Sequence, residues 1–351
     1  MNFVKEQRVN GNRWIKPIHL RYTLMGFERN YQVKILSKQL NLQKLSFSTL
    51  NNKSKLNPWF ISGFVDGEGS FFTTIYKNNN YKKSWYLKIN FAIGLGKNDL
   101  SLLLQIQEFF GGIGSIIINQ NQNMVIYSVG KIEDLTNIII PFFEKYLLLT
   151  QKAADFILFK QILELMKNKE HLSIEGLQKI INIKASMNSG LSDVLKSNFK
   201  KIIPVERPLI LTENITDPNW LAGFVCGEGK FEVRISQSKS VKIGYYVILR
   251  FRIYQHERNI KLMELLVKYL GGGKLEKQTN QKVVNLLINK ISDITNIIIP
   301  FFEVHPLNGV KQLDFLDWCK IANLMNKGSH LTIEGLDLIR KIKSNINKGR
   351  K

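Results

Sequence analysis

ISGFVDGEG at Ile61–Gly69 and LAGFVCGEG at Leu221–Gly229 are two copies of one pattern, and their spacing decides how the chain folds. Gly63, Gly67, Glu68 and Gly69 recur 160 residues later as Gly223, Gly227, Glu228 and Gly229. Glycines four apart on a helix leave a flat strip on which a second helix can lie backbone to backbone. Packing one strip on the other predicts two halves related by a two-fold axis, with Glu68 and Glu228 emerging at the same end. Two carboxylates there, at helix ends that are themselves partially negative, repel unless a cation neutralises them. Such hard oxygen ligands suit Mg²⁺, or Mn²⁺ or Ca²⁺ at the same site.

The likeness between halves extends well past the motif. Thr136–Glu144 (TNIIIPFFE) returns as Thr295–Glu303, and His171–Leu177 (HLSIEGL) as His330–Leu336 (HLTIEGL). The intervening stretch 191–216, with Pro204 and Pro208, has no counterpart and is predicted to be a linker between domains at 56–190 and 217–349. Each half reads as helix, hairpin, helix, hairpin and further helices, an α+β arrangement. Asn57-Pro58 and Asp217-Pro218 supply an N-cap followed by proline at the first helical position, and Gly67–Gly69 and Gly227–Gly229 are predicted to end the helices. Strands follow at Ser70–Lys77 and Tyr86–Leu95, around the tip Lys77–Lys83, and again from Lys230 and over Tyr246–Gln255. Their alternation predicts one apolar face against helices and one open polar face. In the first half that open face presents Ser70, Phe72, Thr74, Tyr76, Lys88 and Asn90. In the second it presents Lys230, Glu232, Arg234, Ser236, Arg250, Arg252 and Tyr254, and Lys274 on the following hairpin joins them.

Fifty Lys and Arg against 28 Asp and Glu give a net charge of +22, which calls for a polyanionic partner. A basic sheet face suits the major groove of duplex DNA. Two cysteines, Cys226 and Cys319, exclude a disulfide framework or a cysteine-based zinc site. The most apolar stretch, Ile138–Leu149, is interrupted by Pro141, Glu144 and Lys145, so no membrane partner is expected. Residues 1–55 hold eleven Lys or Arg and two acids. That leader reads as an organellar transit peptide, as the translated remnant of an upstream frame, or as an arm touching phosphates. Heavy use of Asn, Ile and Lys, whose codons are AT-rich, points to a mitochondrial genome.

Taken together, the paired motifs, the Ile-Pro-Phe-Phe-Glu segments and the closing helices resemble the single-chain, two-motif LAGLIDADG homing endonucleases, over roughly residues 56–349. The nearest likeness is to the intron-encoded fungal mitochondrial members. The resemblance implies an αββαββα core per half, forming a saddle on long asymmetric DNA. It implies divalent-metal-dependent cutting of both strands across the minor groove, leaving short 3′ overhangs. Metal binding then maps to Glu68 and Glu228, with the carbonyls of Gly67 and Gly227 facing the metal as well. It further nominates Lys152 and Lys311 as basic residues polarising the scissile phosphate and Gln255 as a holder of catalytic water, with Leu95 standing where Gln255 would have its counterpart. His171 and His330 are read as structural, beside Ser173 and Thr332 as helix caps.

Unlike residues at matched open positions (Thr74 against Arg234, Asn90 against Arg250) predict a monomer that prefers a non-palindromic site. One turn of groove per half, about 10 bp, makes a target of about 20 bp, bound with steep salt dependence. Two rivals share the scaffold: an RNA-binding maturase acting on its own intron RNA, and a non-cutting DNA-binding regulator. Acids retained in both motifs argue for cutting.

Overall fold

The structure, a computed structural model, describes residues 55–77, 85–188, 190–277 and 281–347. The basic leader up to residue 54 and the hairpin tip at 78–84 lie outside the described residues, and with them the readings made of both. The first half runs α1 (Pro58–Glu68), β1 (Gly69–Lys77), β2 (Trp85–Gly96), α2 (Leu100–Phe109), β3 (Ser115–Asn119), β4 (Met124–Val129), α3 (Ile140–Lys145), α4 (Lys152–Lys167) and α5 (Ile174–Ala185). After α6 (Asp193–Asn198) the second half repeats it as α7 (Pro218–Glu228), β5 (Gly229–Gln237), β6 (Tyr245–His256), α8 (Ile260–Leu270), β7 (Lys274–Lys277), β8 (Val283–Ile288), α9 (Ile299–Val304), α10 (Val310–Asn326) and α11 (Ile333–Lys343). Each half holds one antiparallel four-stranded sheet, ordered β1-β2-β4-β3 and β5-β6-β8-β7. The α+β expectation, with an αββαββα core in each half, is met.

Local chemistry explains the matching element starts. Asn57 Oδ1 accepts from Trp59 N at 2.8 Å and Asp217 Oδ1 from Asn219 N at 2.8 Å, each beside a proline whose missing N–H costs nothing there. Ser173 and Thr332 cap α5 and α11 through Gly176 N (2.9 Å) and Gly335 N (3.1 Å). The helices end at Glu68 and Glu228, within the glycine segments expected to stop them. Gly69 and Gly229 have φ of −74° and −76°, ordinary extended backbone that leads straight into a strand. Glycine is needed there for space: a Cβ would lie 2.9 Å from Val65 O and 2.6 Å from Val225 O.

Strand alternation sends every second side chain into a core beneath the sheet. Phe71 sits at the centre of the first core, 5.2–5.4 Å from the rings of Phe91, Phe143, Phe156 and Phe159. Phe231 repeats this with Phe251, Phe302, Phe315 and Trp318 at 5.2–6.1 Å. The repeated Ile-Pro-Phe-Phe segment has a backbone reason. A π-turn at Leu135–Ile139, matched at Ile294–Ile298, runs into a helix whose opening turn holds the proline, and that helix delivers Phe143 or Phe302 to the core.

The stretch 191–216 is more than a tether. It contains α6, rests Phe199 on Trp85 (5.1 Å) and is strapped along the first half. Arg207 donates to both oxygens of the buried Asp155 at 2.7 and 2.9 Å and to the carbonyls of Ser186 (2.8 Å) and Gln151 (3.0 Å). Thr212 Oγ1 donates to Leu149 O at 2.8 Å. Removing one partner of a buried pair strands the other charge, so Arg207→Ala should cost roughly 3–5 kcal/mol. Urea unfolding of the full chain checks this, and a loss under about 1 kcal/mol, the range of an exposed pair, would show the strap to be incidental.

Candidate active site

The glycine strips do pack on each other. A Cβ on Gly63 would fall 1.8 Å from Trp220 O, and one on Gly223 would fall 1.9 Å from Phe60 O. Further along, Gly67 and Gly227 face one another: a Cβ on Gly67 would lie 3.1 Å from Gly227 Cα and 3.5 Å from Glu228 Cγ. One on Gly227 would lie 3.0 Å from Gly67 Cα and 3.2 Å from Glu68 Cγ. Each glutamate therefore rests against the other helix's last glycine, and both are nearly buried, at 4% and 6% exposed. Among the described residues no three His, Cys, Asp or Glu side chains gather at one point. A cation here would be held by the Glu68 and Glu228 carboxylates and backbone carbonyls, a hard-oxygen set that fits a divalent ion.

The two candidate lysines flank this seam and grip different atoms. Lys152, at the start of α4, is buried and donates to Val65 O at 2.7 Å and Gly67 O at 3.3 Å. Lys311 donates to Gly229 O at 2.6 Å. Each ammonium thus sits at the negative C-terminal end of a motif helix, and Lys152 shares Val65 O with the N–H of Gly69. It also takes one lone pair of Gly67 O, a carbonyl nominated as a metal ligand. Burial pulls the Lys152 ammonium down to about 8, while Asp66, Glu228 and Asp155 hold it up and Arg258 pushes it lower.

Behind the seam the halves differ. Asp66 accepts from Leu149 N (2.7 Å), Thr150 N (3.2 Å) and Thr150 Oγ1 (2.6 Å), and from the indole N–H of Trp220 in the other half (2.9 Å). Burial raises its pKa, with those hydrogen bonds and Lys152 opposing. Cys226 occupies the matching place and takes one backbone N–H, from Asn308 at 3.3 Å. It is a buried packing thiol, pushed up to about 12 by that burial.

Gln255 lies on the helix-facing side of β6, 1% exposed. Its Oε1 accepts from Asn259 Nδ2 at 2.5 Å, and Asn259 Oδ1 accepts from Gln151 N at 2.9 Å, across the halves and next to Lys152. Its buried Nε2 has no hydrogen-bond partner. Arg258, a neighbour of Lys152 from the opposite half, carried no sequence signal, because Asn98 stands at its matched position.

On the open faces the register places the candidates in rows. Ser70, Phe72, Thr74 and Tyr76 stand opposite Ala92, Asn90, Lys88 and Tyr86. Lys230, Glu232, Arg234 and Ser236 stand opposite Arg252, Arg250, Ile248 and Tyr246. The rings of Tyr76 and Tyr86 stack at 5.9 Å, and the Lys88 ammonium lies 5.6 Å over Tyr76. In the second half the charges are cross-linked. Arg250 reaches Glu232 at 3.8 Å, and Arg252 reaches Glu232 at 3.5 Å, Glu276 at 3.2 Å and Asn285 Oδ1 at 2.7 Å. Lys274 pairs with Glu276 at 3.1 Å. Tyr254 lies opposite Asn285, one row from Arg252.

The sequence model of the LAGLIDADG endonuclease family matches residues 61–163 and 221–322. Probable intron-encoded endonuclease 3 of Neurospora crassa is 49% identical over 352 residues, 96% of this chain and 66% of that protein. Probable intron-encoded endonuclease 2 of the same fungus is 41% identical over 301 residues, 83% of this chain and 65% of that protein. The chain thus spans just under two thirds of the length of these relatives. The crystal structure of the I-SmaMI LAGLIDADG homing endonuclease bound to cleaved DNA superposes with a TM-score of 0.82 at 47% identity, covering 85% of this chain and 99% of that one. I-SmaMI bound to its uncleaved DNA target with calcium ions superposes with a TM-score of 0.81 at 47% identity, covering 84% and 100%.

Proposed function

This chain belongs to the LAGLIDADG endonuclease family, and from that premise we propose that it is a site-specific DNA endonuclease. It cuts both strands of a non-palindromic duplex of about 20 bp, one major-groove turn per half, as a monomer and with Mg²⁺. The observation that carries this reading is the seam: one acid from each half is buried against the other half's glycine, where the two open-faced sheets meet. A splicing-only maturase or a DNA-binding regulator has no use for two like charges held so close.

The chain's own residues divide the work. The sheets hold the duplex through its major groove and fix the central base pairs over the seam, with the minor groove facing the acids. Glu68 and Glu228 would hold a divalent ion, which when bound would supply an activated water and charge stabilisation at the leaving oxygen. Lys152 and Lys311 lie beside the two acids, where an ammonium offsets charge on a scissile phosphate. Gln255, with its orphaned Nε2, backs one side of the seam where Leu95 backs the other, so the two cuts are made in unlike surroundings. Intron-encoded fungal relatives and the heavy use of Asn, Ile and Lys, whose codons are AT-rich, support a mitochondrial location for the protein.

The test is incubation of the full chain with a randomised duplex library in Mg²⁺ and sequencing of the cut ends. We expect one long asymmetric site cut on both strands, with short 3′ overhangs. Absence of cutting at any sequence, alongside salt-resistant binding, would reject the reading.

A further inference from the structure

One row of the open face is built from opposite chemistry in the two halves. In the first, Gly94 of β2, Ile126 of β4 and Ile117 of β3 stand side by side in register. Ile117 is 38% exposed and Ile126 is half-buried. The matched positions in the second half are Tyr254, Asn285 and Glu276, likewise in register, and Asn285 and Glu276 both hold Arg252. Gly94 has no packing reason to be glycine. A Cβ there would meet Met124 Cε at 3.7 Å and Ile126 Cγ1 at 3.8 Å, ordinary contacts. Its φ is not left-handed. The missing side chain leaves a methyl-sized dip walled by a methionine and an isoleucine, on a face that also carries Ser70, Thr74, Lys88 and Asn90.

An apolar dip on a groove-facing sheet gains only if something apolar fills it. Of the groups that base pairs show in the major groove, the apolar one is the 5-methyl of thymine. We infer that the Gly94–Ile126–Ile117 row reads thymine through its methyl, whereas the matched row reads hydrogen-bonding edges through an Arg252 guanidinium held in place by Asn285 and Glu276. The two halves then assign different letters to equivalent places in the target. This inference rests on the DNA-endonuclease reading above.

The experiment selects the preferred duplex from a randomised library with the full chain in Ca²⁺, then replaces each thymine singly with deoxyuridine. We expect thymine in the half-site held by the first half, and a loss of affinity of about fourfold for each methyl that matters, the worth of one buried methylene. Gly94→Ala, which fills the dip without a clash, should bind thymine and uracil equally with an unchanged Tm. Asn285→Ala should relax base choice in the other half-site and leave the uracil effect intact. A selected half-site without thymine, indifference to uracil throughout, or a uracil effect that survives Gly94→Ala each overturns the inference while the nuclease reading stands. Failure to enrich any sequence removes both.

Discussion

Glu68→Gln and Glu228→Gln are each expected to abolish double-strand cutting while the duplex is still bound. Glutamine keeps the shape and the hydrogen-bonding reach of the acid and removes one charge. Loss of a group that merely supports a metal ligand costs about 10–100-fold, so loss of the ligand itself should exceed that. Binding depends on the open sheets and their lysines and arginines, which neither variant touches. Stability supplies an independent readout. The wild-type acids repel each other beside two negative helix ends, so each glutamine variant should melt at the same or a higher temperature in chelator. Magnesium should then raise the Tm of the wild type and not of the variants, because an ion that binds the folded state stabilises it. Wild-type cutting rates in both variants, or a magnesium shift that persists in them, would remove the acids from the reaction.

Gly63→Ala and Gly223→Ala should each damage stability and cutting together. Each adds one carbon where a backbone carbonyl of the opposing helix already sits, at 1.8 and 1.9 Å. A carbonyl cannot swing aside as a side chain does, so the helices must separate. Overpacking of a well-filled core costs about 1–3 kcal/mol, and a backbone clash at the central interface belongs at or above the top of that range. Separation also displaces Glu68 and Glu228, and a 1 Å displacement of reacting groups costs about a hundredfold in rate. Thermal unfolding and single-turnover cleavage measure the two effects. A Gly63→Ala protein that melts and cuts like wild type would show that the helices do not meet as described.

Much of this was legible because short-range rules dominated. Asn57-Pro58 and Asp217-Pro218 announce helix starts through their own side chains, and the period of β5 and β6 is unambiguous. The seam was legible because glycines at a spacing of four have few other uses when they recur at a fixed offset. The rest depended on partners distant in sequence. Arg258 reaches the neighbourhood of Lys152 only when the halves meet, and no repeat marks it. Arg207 looks like any exposed arginine until Asp155 is buried beneath it. Ile116, Ile117 and Ile118 form an unbroken apolar run, so periodicity cannot say which one faces outward; pairing with β4 decides. Gly67–Gly69 marked where the helix stops, but only the strand that begins at Gly69 explains why glycine there provides room.

The indole of Trp220 bonded to Asp66 has a bearing on how such proteins can be recombined. Cys226 makes no comparable reach in the other direction, so the mutual dependence is lopsided. A chimaera that keeps residues up to the connecting strap but imports a foreign partner without tryptophan at that place inherits a buried carboxylate missing one of its donors. Builders of hybrid proteins from this scaffold should carry Asp66 and Trp220 as one unit of inheritance, while the cysteine side is open to exchange.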